Sequence, residues 1–492
     1  MFNKVLIANR GEIAVRIVRT LRELKIRSAA VFTAPDQSGL HTRSADEAYA
    51  LGDDPRAYLD AERVLAVAQY AGCDALHPGY GFLSENADFA ELCAARGITF
   101  IGPPPSAVRA MGSKERARAA MAQAGVPIVP GGAAGTIDEA RATAARIGYP
   151  VLVKATDGGG GKGMRLVKSE AELESALERT RSEAKKAFGS DAVYIEKAIT
   201  SARHVEVQVL GDRNGKLVHL FERDCSLQRR HQKVVEETPC PALDPATRQA
   251  LCDVAVKGAE SIGYFSAGTF EFLLAPDSSF YFLEMNTRLQ VEHPITELVT
   301  GVDLVRQMLL VAAGKPLELT TVEARGAAFE ARVYAEDPSS GFLPSPGTIT
   351  HLATPGGPFV RNDSGVYEGM TISPFYDPML SKLAVWAPTR AEALARLGRA
   401  LGEYAVGGVA TNLSLLEAIT ANAEVIAGRY DTGFLERELT NLLATTHQDV
   451  DALALAAAVA VQAARQNGKS HEQRAESAVS PWLQAHRAEL LK

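Results

Sequence analysis

The chain is poor in cysteine and has no CxxC pair. Its five cysteines (Cys73, Cys93, Cys225, Cys240, Cys252) are odd in number and make no disulfide framework, so reduced thiols in a cytosolic, cytoplasmic protein are expected. No apolar run reaches the ~20 residues needed to span a bilayer. Lys4-Val-Leu-Ile-Ala8 runs straight into Asn9-Arg10-Gly11 without a signal-peptide h-region. Positive charge is not in excess either. A formal net charge of -7 and a pI near 5.9 argue against nonspecific binding to nucleic acid or an anionic membrane, which leaves small molecules or proteins as partners. There is no GxxxxGK[ST], and Asn9-Arg10-Gly11-Glu12 stands where a dinucleotide site would need its glycine fingerprint, so neither a P-loop nor a nicotinamide site is expected.

What is present fits an ordinary globular protein: 492 residues, 46% hydrophobic and 23% charged, enough for two or three domains and a sizeable core. The chain opens as α/β. Residues 4–8 read as a strand, 12–25 as an amphipathic helix and Ser28–Thr33 as a second strand, a βαβ start. Alternation continues through His77-Pro-Gly-Tyr-Gly-Phe-Leu-Ser-Glu-Asn86 to the break at Gly102-Pro103-Pro104-Pro105. Val151–Ala155 then reads as a strand leading into a glycine run at 158–161, with a second strand from Met164 to Lys168. Such a glycine hairpin can fold its N–H groups over a triphosphate while Lys154 and Lys162 supply charge; a flexible surface hairpin is the plainer reading.

Glu284, Asn286, Arg288, Gln290 and Glu292 are polar at every second position, and an extended strand would put all five on one face. A solvent-facing strand alternates in the same way. The composition points elsewhere: two carboxylates and an amide are oxygen ligands for a hard divalent cation, and one guanidinium can hold a small oxyanion. Upstream, Gly268–Leu274 and Phe280–Glu284 read as a hairpin turning at Pro276-Asp277-Ser278-Ser279. Pairing about Asp277 and Ser278 sets Glu271 opposite Glu284, where two like charges ~5 Å apart call for a cation such as magnesium between them. A one-residue slip would separate them. Between these landmarks lie a period-2 strand, His204–Leu210, and the basic stretch Arg229-Arg-His-Gln-Lys233, which an ion-paired surface would also explain.

Asn9-Arg-Gly-Glu-Ile13, His77–Asn86, the Gly158–Met164 loop, Arg229–Lys233 and Glu284-Met-Asn-Thr-Arg-Leu-Gln-Val-Glu-His-Pro294 together resemble biotin carboxylase, an ATP-grasp ligase, over roughly residues 1–445. The resemblance implies an α/β (α+β) ATP-grasp fold: an N-terminal Rossmann-like domain over 1–112, an ATP-grasp region over 113–330 with a mobile glycine-loop lid at about 131–202, a C-terminal domain over 331–446, and a helical or linker tail over 447–492. It also implies ATP-dependent carboxylation of biotin N1′ by bicarbonate through carboxyphosphate, with two Mg²⁺ or Mn²⁺ ions.

Residue by residue, the resemblance assigns ATP to Lys114, Lys154, Gly160, Gly161, Glu196, Lys197, Ala198, Ile199, His204, Gln228, His231, Glu271 and Glu284. It assigns metal to Glu271, Glu284 and Asn286, bicarbonate to Lys233, Arg288 and Val291, and biotin to Arg332 and Tyr80. Lys233, Arg288 and Glu292 would carry the chemistry. Glu292 is the expected base for bicarbonate, and Arg288 would steady the ureido oxygen of biotin after N1′ loses its proton. Arg19 and Glu23, one helical turn apart, match a homodimer contact or form an ordinary i,i+4 pair.

Lys162 where arginine is common, Val333–Pro338 and Ser373–Leu380 look more like propionyl-CoA or methylcrotonoyl-CoA carboxylase α chains than the dedicated acetyl-CoA subunit of fatty acid biosynthesis; a split pyruvate carboxylase is the further alternative. No Met-Lys-Met occurs, so biotin is expected on a separate biotin carboxyl carrier protein, to be used by a separate carboxyltransferase subunit. The tail holds an alanine-rich helix candidate at 452–464 and a polar stretch after it. Another ATP-grasp ligase, or a silent assembly subunit, remains open at this point. The first should lack His77–Asn86 and Arg288–Glu292 together, and the second should have lost Lys233, Arg288 or Glu292.

Overall fold

The computed structural model describes residues 1–155, 164–188, 191–319 and 322–444. The glycine run with Gly160, Gly161 and Lys162, and the tail beyond residue 444, lie outside the described residues. Two compact units divide the chain, Met1–Glu438 and Leu439–Lys492, and the first contains every element discussed below.

The βαβ opening forms as the periodicity predicts. Strand Lys4–Ile7 pairs in parallel with Arg27–Thr33 across helix Gly11–Glu23, whose Ile13, Ala14, Ile17, Val18 and Leu21 make one buried stripe. Residues Glu47–Gly52, Ala75–His77 and Thr99–Phe100 complete a five-stranded parallel sheet. A separate four-stranded antiparallel sheet follows, in the order Gly131–Ala133, Val193–Lys197, Val151–Ala155, Met164–Val167. The two strands flanking the glycine run are therefore hydrogen-bonded neighbours, with Lys154 opposite Met164.

Eight antiparallel strands make the central sheet, in the order Phe280–Asn286, Ser266–Leu274, Arg203–Gly211, Leu217–Arg229, Gln232–Thr238, Ala327–Tyr334, Met379–Ala387, Val360–Ser364. Strand Arg203–Gly211 is buried at all nine positions, so its period-2 pattern does not mark a wet face. Val205, Val207 and Val209 point into an apolar cluster with Phe270, Phe272 and Phe282, capped by helix Pro245–Ser261 through Leu251, Cys252 and Ala255. His204, Glu206 and Gln208 alternate onto the opposite face, which is polar and covered by helix His293–Thr300; Arg223 Nη1 reaches Thr296 Oγ1 of that helix at 2.8 Å. Glu297 of the same helix accepts Arg16 Nη2 at 2.9 Å and Arg361 Nη1 at 2.7 Å, tying the amino-terminal helix to the sheet.

All five cysteines are buried and unpaired, in line with the reduced thiols expected. Among the described residues no helix is long and apolar enough to cross a membrane.

Candidate active site

The hairpin sets Glu271 opposite Glu284, as anticipated, but by an unforeseen route. Near the turn the register is Leu274↔Phe280, Leu273↔Tyr281, Phe272↔Phe282, and continued regularly it would give Glu271 Leu283 as its partner. A bulge at Leu283 shifts the register and brings Glu284 opposite Glu271 and Asn286 opposite Thr269. Asn286 Nδ2 donates to Glu271 Oε1 at 2.7 Å, so three oxygen-bearing side chains meet at one end of the hairpin. Burial, then the charge of Glu271, raises the Glu284 carboxyl from its ordinary range, although Glu284 itself opens to solvent. A cation between the two carboxylates would relieve this. Oxygen donors at such spacing fit a hard divalent ion, and the same atoms would hold it beside nucleotide phosphates.

One expectation fails in form. The strand ends at Asn286, so Arg288, Gln290 and Glu292 do not share a strand face with Glu284; the chain turns out of the sheet and Glu292 becomes the N-cap of helix His293–Thr300. The side chains still converge, by hydrogen bonds in place of pleat geometry. Arg288 Nη2 donates to Asn286 Oδ1 and Nη1 to Gln290 Oε1, both at 2.9 Å, and Gln290 Nε2 donates to Glu271 Oε1 at 3.0 Å. Arg288 Nε also reaches Glu85 Oε2 at 2.9 Å, and Glu85 Oε1 accepts the Thr287 amide at 3.0 Å. Glu85 belongs to the His77–Asn86 motif, so the amino-terminal domain itself orients this arginine.

Lys233 sits at the centre. Its ammonium lies 2.5 Å from Glu206 Oε2, 2.7 Å from Glu292 Oε1 and 3.1 Å from Glu271 Oε1. Arg223 pairs with Glu206 at 2.6 Å, and Arg332 bridges Glu236 at 2.5 Å and Glu292 Oε2 at 2.9 Å. Four buried carboxylates thus meet two buried guanidiniums and the half-buried Lys233, and the carboxylates diverge according to their neighbours. Burial alone would push Glu292 up, yet Lys233, Arg332 and Arg223 together hold it well below the usual carboxylate range. Burial likewise opposes ionisation of Glu271, but Lys233 and His204 outweigh it and hold that carboxyl low. Glu206 goes the other way: burial and then the charge of Glu292 raise it. Glu236 is pushed up to about 7, chiefly by burial.

The residues expected at the nucleotide fall into three places. His204 Nε2 lies 2.9 Å from Glu271 Oε2, and burial, which lowers the imidazole pKa, is outweighed by that carboxylate. Gln228, buried, is the cross-strand partner of Lys233. Exposed His231 sits in the turn between the same two strands at φ 66, and exposed Lys114 opens helix Lys114–Gln123 with its charge acting on Glu284. On the four-stranded sheet Lys154 pairs with Glu196, the Lys197 ammonium caps the carbonyls of Gly148 and Tyr149 at 3.0 Å each, the Ala198 amide donates to Pro150 O at 3.0 Å, and Ile199 is half-buried.

Tyr80 hydrogen-bonds Glu12, and Val291 O accepts Lys382 Nζ at 2.6 Å. Arg19 meets Asp363 at 3.3 Å, not Glu23. Sequence reading missed Glu206, Arg223, Glu236, Glu85, Glu12 and Lys382. The signal for Glu206 was present in His204-Val-Glu-Val-Gln208, where polar residues alternate inside a strand too apolar on its other face to be solvent-exposed. For the others the partners lie on other strands or on loops that only the fold brings near, and spacing carried no sign of them.

A parallel α/β amino-terminal sheet, a small antiparallel sheet carrying the glycine loop's flanks, and a large antiparallel sheet bearing carboxylates and lysines on one face define an ATP-grasp enzyme. Three family models match: Biotin carboxylase, N-terminal domain over residues 1–108; Carbamoyl-phosphate synthase L chain, ATP binding domain over 113–320; and Biotin carboxylase C-terminal domain over 330–437. Biotin carboxylase 1 of Bacillus subtilis is 50% identical over 445 residues, covering 89% of this chain and 98% of that protein. The mitochondrial methylcrotonoyl-CoA carboxylase subunit alpha of Rattus norvegicus is 49% identical over 449 residues, 90% of this chain; the chain spans 63% of that relative's length. The biotin carboxylase domain of Hydrogenobacter thermophilus 2-oxoglutarate carboxylase, solved as a dimer with MgADP, ADP and bicarbonate, superposes with a TM-score of 0.83 at 45% identity, covering 90% of this chain and 99% of that one. The chain belongs to the biotin carboxylase family.

Proposed function

We propose that the chain carboxylates N1′ of biotin on a separate carrier protein, using bicarbonate and cleaving ATP to ADP and phosphate. Bicarbonate must meet a polyanionic nucleotide, so the site needs fixed cations to hold both anions in line. Lys233 is the observation that carries the reading. One ammonium faces Glu271 on the cation side and Glu292 on the other, so it stands where the two reactants would join.

In this reading Glu271, Glu284 and Asn286 hold the divalent ions, which screen the phosphate charge. His204, Lys114, Gln228 and His231 lie around the same sheet end, with Lys154 and the backbone from Glu196 to Ile199 on the nucleotide's far side. Bicarbonate binds between Lys233, Arg288 and the backbone at Val291. Its oxygen attacks the γ-phosphorus, the bond from phosphorus to the bridging oxygen breaks, and ADP leaves. Glu292 takes the bicarbonate proton. A carboxylate held by two cations is a weak base, but incoming anions compete for Lys233 and Arg332, and as those pairs loosen Glu292 returns towards its ordinary basicity. Carboxyphosphate then yields CO₂ and phosphate, phosphate accepts the N1′ proton, and N1′ bonds to the carbon of CO₂. Arg332 and Tyr80 face biotin, and Arg288, already oriented by Glu85, steadies the ureido oxygen.

Relatives named for a biotin carboxylase, a methylcrotonoyl-CoA carboxylase and a 2-oxoglutarate carboxylase share this half of the chemistry in our reading, so it ends at carboxybiotin, with a separate carboxyltransferase and a second copy of the chain as partners. ADP release from the purified chain with Mg-ATP tests it. Release should require bicarbonate, rise with free biotin and disappear in Arg288→Ala; release indifferent to bicarbonate and biotin would point to another ATP-grasp substrate.

A further inference from the structure

Lys382 is completely buried, on the strand Met379–Ala387 directly across from Arg332, and has no place among the groups that meet a reactant in the reading above. A buried ammonium is costly unless its partners repay the desolvation. It has two. Its Nζ donates to the carbonyl of Val291 at 2.6 Å and lies 3.4 Å from Glu12 Oε1, itself buried and hydrogen-bonded by Tyr80. The Val291 carbonyl sits where the chain has left the sheet at Asn286 and not yet entered the helix that begins at His293, so no ladder or helical bond fixes it. That carbonyl shares a peptide plane with the amide of Glu292, whose carboxylate meets Lys233 and Arg332.

We propose that Lys382 is a positioning residue for bicarbonate: through the Val291 carbonyl it locks the peptide joining Val291 to Glu292, and through Glu12 it ties that peptide to Tyr80 across the domain boundary. The inference rests on the proposed function. Lysine suits the role because its long stem reaches from the sheet to a segment no strand can hold, and its ammonium carries three donors, enough to serve the Val291 carbonyl and Glu12 together. The segment leading into Glu292 and, through Glu12, the loop carrying Tyr80 are thereby tied to one buried ammonium. The contacts of Lys382, with Val291 and Glu12, include none of the residues placed at the nucleotide.

The test compares Lys382→Met and Lys382→Gln with the wild type, measuring ADP release against bicarbonate and against ATP, together with thermal melting. Methionine keeps the stem and removes the donor. It should lower kcat/KM for bicarbonate about ten- to hundredfold, the span of a hydrogen bond from a charged group, while KM for ATP stays within about twofold. Glutamine restores a neutral donor and should recover part of that loss. If the methionine variant does not fold, the glutamine variant decides alone, with a loss of about threefold or more in kcat/KM for bicarbonate at unchanged KM for ATP. Unchanged bicarbonate kinetics in the folded variants would overturn the proposal, as would bicarbonate and ATP constants worsening in parallel with a fall in melting temperature. Wild-type ADP release that ignores bicarbonate would instead overturn the proposed function.

Discussion

Replacing Lys233 by methionine removes one ammonium from among three buried carboxylates, Glu206, Glu271 and Glu292, at 2.5, 3.1 and 2.7 Å. Glu206 keeps Arg223 and Glu292 keeps Arg332, so the net loss is one cation from a cluster that was near balance. Breaking a buried pair by deleting one partner costs about 3–5 kcal/mol, most of it the charge left behind. The pH dependence identifies the cause. In the wild type Glu292 has its pKa held below the ordinary carboxylate value, so its stabilising contribution is present above about pH 4.5 and is lost as pH falls through the lower folded value. In the variant that depression shrinks, and Glu206, already raised, rises further and takes up a proton sooner. The penalty should therefore be largest near pH 8 and shrink steadily towards pH 5. Urea unfolding of both proteins without added metal, followed by circular dichroism at several pH values, measures it. A penalty of the same size at pH 5 and pH 8 would refute the electrostatic argument and leave only lost packing of the lysine stem.

Three further outcomes follow from the same geometry. Glu236 titrates near 7 in the fold against an ordinary 4.5, so its neutral form is favoured on folding and that contribution, complete below 4.5, is lost as pH rises through 7. Relative to Glu236→Gln, wild-type stability should fall with pH by up to about 1.4 kcal/mol per unit and flatten above 7; parallel curves in urea titrations would contradict this. Phe282→Ala empties a fully buried site with ring centroids of Phe270 at 5.9 Å and Phe272 at 6.2 Å, and should cost about 3–5 kcal/mol in the same unfolding assay. Chelating divalent ions should abolish ADP release, and Mg²⁺ or Mn²⁺ should restore it, whereas Glu284→Gln should need much more metal for the same rate.

The hairpin shows how far local sequence carried. Turn residues and alternation located both strands, and like charges in opposed positions called for a cation, but the bulge at Leu283 that makes Glu271 face Glu284 has no signature, because an exposed leucine reads as any strand residue. Polar alternation from Glu284 to Glu292 picked out side chains that do converge, for a wrong reason. The strand ends at Asn286, and convergence comes from Arg288 bonding Asn286 and Gln290. Lys233 was legible within its basic stretch. Glu206 left a trace in the alternation of its strand, whereas Glu236 and Arg223 did not, because their partners lie on strands 15 to 96 residues away and only the sheet order brings them together. Lys382 is the extreme case: an isolated lysine in an apolar strand, paired with a backbone carbonyl 91 positions earlier.

Transfer of label from ¹⁴C-bicarbonate to free biotin, in the presence of Mg-ATP, tests the central claim most directly. The account predicts acid-labile carboxybiotin formed in step with ADP by the wild-type chain and not by Arg288→Ala or Lys233→Met. ADP released without labelled biotin, at any biotin concentration, would contradict it.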